Sequence, residues 1–154
     1  MAGKIESRLA ELGLQLPVLA VPQGNYVPTT VTGNLVFTAG QIPLEGGKAV
    51  YVGKLGVTCD IDTAYKAARL CALNILAVVK NEIGDLDRIT RIVKVVGFVN
   101  SAPDFLDQPK VINGASDLFG EVFGEAGRHA RSAVGAAVLP LGVPVEVEAI
   151  IEFA

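Results

Sequence analysis

From Val145 to Glu152 the chain alternates between two kinds of residue. Val145, Val147 and Ala149 are apolar, and Glu146, Glu148 and Glu152 are acidic. A period of two marks a strand in a sheet with one buried face. Just ahead, Ser132-Ala133-Val134-Gly135-Ala136-Ala137-Val138 forms a second, apolar strand with Arg131 at its mouth, and Leu139-Pro140-Leu141-Gly142 is the turn that ends it. Carboxylates sharing one sheet face repel unless solvent or a cation separates them. Arg131 is the candidate cation. The alternative is a solvated charge at a strand end, the commoner place for an arginine.

The rest of the chain supplies the other elements. Ile5, Leu9 and Leu12 interleaved with Glu6, Arg8 and Glu11 predict a short amphipathic helix stopped by Gly13, an N-terminal appendage covering residues 1–13. The prolines of Leu16–Pro22 keep that stretch extended along a sheet edge, and Gln23-Gly24-Asn25-Tyr26 turns the chain. Tyr26–Thr32 and Leu35–Gly40 flank Gly33-Asn34, a two-residue hairpin loop whose positive φ angles suit glycine and asparagine. Gly46-Gly47 makes a further turn before a short strand over Ala49–Val52.

From Asp60 the period becomes helical. Ile61, Ala64, Tyr65, Ala68, Cys71, Ala72, Ile75, Leu76 and Val79 share one side, with Asp60 as N-cap and an end near Gly84. Arg88–Asn100, rich in β-branched residues, predicts a strand. Asp107-Gln108-Pro109 opens a second helix that closes at Gly124. Strands, helix, strand, helix and two strands make an α+β sheet covered by two helices, and 154 residues suit one domain over 1–154.

Composition narrows the function. The net charge of −3 gives no general attraction for phosphate backbones, and no basic stripe is present, so nucleic acid is disfavoured as a partner. The apolar run Leu70–Val79 is broken by Asn74 and is too short for a bilayer, where ~20 residues are needed. Met1–Ser7 has neither the basic region followed by an apolar stretch nor the cleavage site of a leader, so the expected compartment is the cytoplasm. Cys59, Cys71 and the single histidine, His129, show no metal-ligand spacing and no disulfide framework. Apolar residues make up 51% of the chain, with a mean hydropathy of +0.47. That excess points to a buried subunit interface.

Several short motifs occur in a telling order: Gly24-Asn25-Tyr26, Thr38-Ala39-Gly40-Gln41-Ile42-Pro43, Asn113, Ala130-Arg131-Ser132, Leu139-Pro140 and Val145-Glu146-Val147-Glu148-Ala149. Together they resemble the reactive intermediate deaminase (Rid/YjgF) family from about Gly24 onward. The resemblance implies a chorismate-mutase-like protomer, a mixed β-sheet with two helices on one face, assembled as a homotrimer with clefts between subunits. It implies hydrolysis of enamine and imine intermediates to 2-oxo acids and ammonia, without a cofactor or metal.

Carried over by motif, Arg131 would grip a substrate carboxylate and Glu146 would orient a water or relay a proton. Tyr26, Gly40 and Asn113 would line the pocket. A planar guanidinium suits the first role because it binds a carboxylate through two parallel hydrogen bonds. The chain departs from the family pattern at Ala39, where many members have serine, and at Ala133, where many have cysteine. It is also longer at the N-terminal helix, around Leu106–Lys110 and at Gly124–Gly127. Two other functions stay open: a trimer that binds small 2-oxo acids or related carboxylates as a regulator without turnover, and the endoribonuclease activity attributed to some relatives. Phosphate cleavage usually needs cationic stabilisation, for which the acidic pI and single histidine are poorly suited.

Overall fold

The computed structural model describes residues 3–19, 21–22 and 24–154. Ala20 of the proline-rich stretch, Gln23 of the following turn and the first two residues of the N-terminal segment lie outside the described residues.

Helix α1 spans Lys4–Glu11 and is docked on the body of the protein, with Leu9 only 2% exposed. Its first two backbone N–H groups, of Lys4 and Ile5, donate to the Asp87 carboxylate at 2.8 Å each, so a distant residue caps the helix. The hairpin forms from β1 (Thr29–Thr32) and β2 (Leu35–Thr38) around Gly33-Asn34. Only Gly33 takes positive φ, at +58°, so the turn has the one-glycine pattern of type II′ rather than two left-handed residues. The strand expected over Ala49–Val52 is not formed. Instead β3 (Leu44–Glu45) pairs with β4 (Lys48–Ala49), the two closed into a tight loop by Gly46-Gly47.

Helix α2 runs Ile61–Ile83, and the Asp60 side chain accepts the Thr63 N–H at 2.8 Å. Every residue from Cys71 to Val79 is buried, so this helix is covered on more than its apolar side. Asn74, 7% exposed, is accommodated because its Nδ2 donates to the carbonyls of Ile42 and Leu44. Strand β5 (Ile89–Asn100) leads through a loop to α3 (Gln108–Phe123), which crosses back to β6 (Ala130–Ala136), parallel to β5. A turn at Pro140–Gly142 precedes β7 (Val145–Phe153).

The five-stranded sheet has the order β1-β2-β7-β5-β6, so the hairpin forms one edge and β6 the other. Helices α2 and α3 cover one face. Val95, Val99, Val145, Val147, Ala149 and Ile151 enter the core from that face. Gly97 belongs to it as well, since a Cβ there would sit 2.4 Å from the Ile112 side chain of α3. Among the described residues no helix is long and apolar enough to cross a membrane.

Candidate functional site

Arg131 is the second residue of β6, inside the strand rather than at its mouth. The parallel ladder sets it beside Val95, so it shares the helix-facing side of the sheet. Its Nη1 donates to Asn113 Oδ1 at 2.8 Å and to Ser116 Oγ at 3.2 Å. Asn113 and Ser116 are three apart on α3 and therefore adjacent on its surface. Ser116 was not singled out from sequence; the spacing from Asn113 is the signal that finds it. Both contacts use Nη1, so Nε and Nη2 carry no hydrogen bond among the described residues. The half-buried guanidinium is oriented by neutral groups and faces no carboxylate within salt-bridge range among the described residues.

Glu146 sits elsewhere. It lies beside Phe98 on β5 and alternates with the buried Val145 and Val147, which places it on the sheet face turned away from the helices. The chain at Gly40-Gln41 runs alongside: Gln41 N–H donates to Val147 O at 2.7 Å, and Val147 N–H returns to Gln41 O at 2.9 Å. Gly40 gives the carboxylate its room, because a Cβ there would stand 2.3 Å from Glu146 Oε2. Partial burial raises the Glu146 pKa above the ordinary glutamate value, and the neighbouring Glu148 charge adds to the rise. No hydrogen bond or ion pair holds this carboxylate among the described residues.

Tyr26 is 56% exposed on the irregular segment leading into β1. In the sheet order β1 and β6 stand at opposite edges, four strand spacings or roughly 19 Å apart. Four of the five sequence-derived residues therefore form two groups in one chain, and Tyr26 stands apart from the Arg131 edge. Arg131 and Asn113, joined by Ser116, make one half-site on the β6 edge. Gly40 and Glu146 make another on the open face, and Tyr26 belongs to the far edge. The expectation that Arg131 neutralises the acidic face of its own β7 is corrected by the register, which turns it toward α3. On the open face Arg91 stands beside Glu152, and Thr90 Oγ1 donates to Glu152 Oε1 at 2.7 Å.

His129 packs edge-on against Phe119, with ring centroids 6.1 Å apart, and its Nδ1 lies 3.0 Å from Ala130 O. Burial lowers its pKa below the ordinary histidine value, and the ring packs at the base of β6. Among the described residues no group of three or more His, Cys, Asp or Glu side chains converges to hold a metal ion.

Comparison with known proteins bears on this arrangement. A family model described as "YjgF/chorismate mutase-like, putative endoribonuclease" matches residues 6–152. Protein TCP17 of Trypanosoma cruzi is 44% identical over 152 residues, covering 98% of this chain and 95% of its own. The crystal structure of Atu1372 from Agrobacterium tumefaciens, of unknown function, superposes with a TM-score of 0.92 at 52% identity, covering 98% of this chain and 93% of its own. The E. coli TdcF structure with bound serine superposes with a TM-score of 0.61 at 28% identity, covering 90% and 93%. With the mixed sheet, the two covering helices and the Ala130-Arg131-Ser132 and Val145–Ala149 motifs in place, the chain belongs to the YjgF/chorismate mutase-like family.

Proposed function

We propose that this protein is a hydrolytic deaminase of small 2-imino and enamine carboxylates, working at a cleft between two copies of the chain in a homotrimer. The observation that carries the reading is the state of Arg131: its guanidinium is held at Nη1 by Asn113 and Ser116, and among the described residues Nε and Nη2 carry no hydrogen bond. That free edge suits the two oxygens of a carboxylate in parallel hydrogen bonds. Because the Glu146 half-site lies on the other face of the same sheet, a complete site needs the Arg131 half of one chain and the Gly40–Glu146 half of another. Tyr26 closes it from the hairpin edge.

The chemistry follows from those groups. With the substrate carboxylate on Arg131, the adjacent C=N carbon faces Glu146. The glutamate takes a proton from water as its oxygen adds to that carbon and passes it to the imine nitrogen, giving a tetrahedral amino alcohol. Glu146 then takes the hydroxyl proton and delivers it to the amine as the C–N bond breaks and the carbonyl forms, releasing the 2-oxo acid and ammonia. A pKa raised above the ordinary glutamate value suits a group that both accepts and returns a proton. No metal or cofactor enters the scheme.

Bound serine in TdcF supports a small amino-acid-like carboxylate as the kind of ligand such a site takes. RNA cleavage, which the family description names, calls for cations around a phosphate, whereas the proposed cleft sets a single guanidinium against Glu146 and Glu148. The two thiols, Cys59 and Cys71, are free, which suits the reducing cytoplasm as the proposed compartment.

The deciding experiment measures ammonia release from 2-imino acids generated in place by an amino-acid oxidase, over a panel of side chains. Acceleration that disappears in Arg131→Ala supports the deaminase. Tight 2-oxo acid binding with no acceleration would replace it with a ligand-binding, regulatory trimer.

A further inference from the structure

A second groove lies at the other end of β6. Its volume is about 490 Å³, and Lys54, Val57, Ser101, Pro103, Phe105 and Gln108 are among the residues that line it. Gly135, also on its wall, is four residues from Arg131 along β6, or roughly 13 Å at strand spacing. The groove is thus separate from the Arg131 half-site.

Its polar end is built around one cation. The Lys54 ammonium donates to Asn100 Oδ1 at 2.6 Å and to the carbonyl of Ala137. Asn100 is 4% exposed, and its Nδ2 is committed to the carbonyls of Val143 and Gly53 at 3.1 and 3.3 Å. The amide is therefore locked with its oxygen aimed at the lysine. Gln108 Nε2 is fixed by Phe105 O at 2.8 Å and approaches Ser101 Oγ at 3.4 Å, and Ser101 itself donates to Val99 O.

Among the described residues Lys54 forms no ion pair. An ammonium fixed by two neutral oxygens has surrendered part of its hydration without gaining a counter-charge. Two of its three N–H donors are used, and one remains for a ligand. Val57, Pro103 and Phe105 give the groove apolar lining.

We propose that this groove binds a small monocarboxylate with an apolar body, its carboxylate on Lys54 and its body against Val57, Pro103 and Phe105. One fixed positive charge matches one negative charge. A doubly charged phosphate would find no second cation, since the Gln108 amide donors are turned to protein oxygens.

The test is isothermal titration of the full chain with 3-phenylpropionate. Wild type and Arg131→Ala are expected to bind it alike. Lys54→Gln is expected to weaken binding about tenfold, the scale of one charge-assisted contact. The neutral analogue 3-phenylpropanol should bind wild type weaker by about the same factor. Val57→Trp puts bulk into the groove from an exposed position while keeping the lysine charge, and its expected loss of binding keeps the test decisive if Lys54→Gln does not fold. Unchanged affinity in Lys54→Gln or Val57→Trp, loss of binding in Arg131→Ala, or no binding by wild type would each overturn the proposal.

Discussion

Arg131 and Glu146 lie on opposite faces of one sheet. Arg131 stands beside Val95, whose side chain enters the helix-covered core, while Glu146 stands beside Phe98 on the open face. No rotamer change within a chain brings the two functional groups around the sheet to a common substrate. Two copies meeting edge to face can do so, because a cyclic contact presents different surfaces of the same chain to each other.

This split makes complementation the sharpest prediction. Arg131→Ala and Glu146→Gln are each expected to be strongly impaired alone. Unfolded together and refolded as mixed trimers, they should regain about a quarter of wild-type ammonia release, since a site between neighbours is intact in one of four random pairings. Mixed assemblies with no regain would place both residues in a site within one chain.

Arg131→Ala should lower kcat/KM by roughly 30-fold to several thousandfold, as truncating one partner of a desolvated charge pair costs about 2–5 kcal/mol. Its melting temperature should stay close to wild type, because the lost hydrogen bonds are to neutral, partly exposed groups. Arg131→Lys should recover part of the activity, keeping the charge and losing the planar fork. Steady-state kinetics with a melting curve on the same preparation checks all three.

Gly40→Ala should act through Glu146. The new methyl would fall 2.3 Å from Oε2 and must displace the carboxylate. A fall in kcat with little change in 2-oxo acid affinity is expected, with a stability cost of about 1–3 kcal/mol if the backbone at Gly40 cannot relax. Gly40→Ala combined with Glu146→Gln should be no slower than Glu146→Gln alone, which a kinetic double-mutant cycle reads directly.

The pH dependence follows from the raised Glu146 pKa. The folded state holds this proton more tightly than the unfolded chain, so the destabilising contribution is absent below the unfolded value of about 4.3. It grows as pH rises to the folded value and is constant beyond it. Glu146→Gln should therefore melt higher than wild type at pH 7, with the difference vanishing near pH 4. Activity should show an acid limb above the ordinary glutamate range that is missing in the variant.

Much of the fold is legible because it is local. The alternation over Val145–Glu152 marks β7, Asp60 caps α2, and Pro109 with Gly124 brackets α3; each signal concerns residues within a few positions of one another. The strand expected over Ala49–Val52, and the short β3–β4 pairing formed instead, show the limit, since four apolar-leaning residues do not say which neighbour they pair with.

Periodicity along the chain marks which residues share a face of each element, and its motifs mark which side chains are candidates for the site. Tertiary structure alone decided how those faces meet. Pairing β6 parallel to β5 in this register turned Arg131 toward Asn113 and Ser116 on α3, and antiparallel β7 turned Glu146 away. Docking also set Gln41 beside Val147, leaving space at Gly40 for a carboxylate. Periodicity is a property of one strand or helix. Register and crossover are relations between segments far apart in the chain, fixed when their apolar faces find a common core.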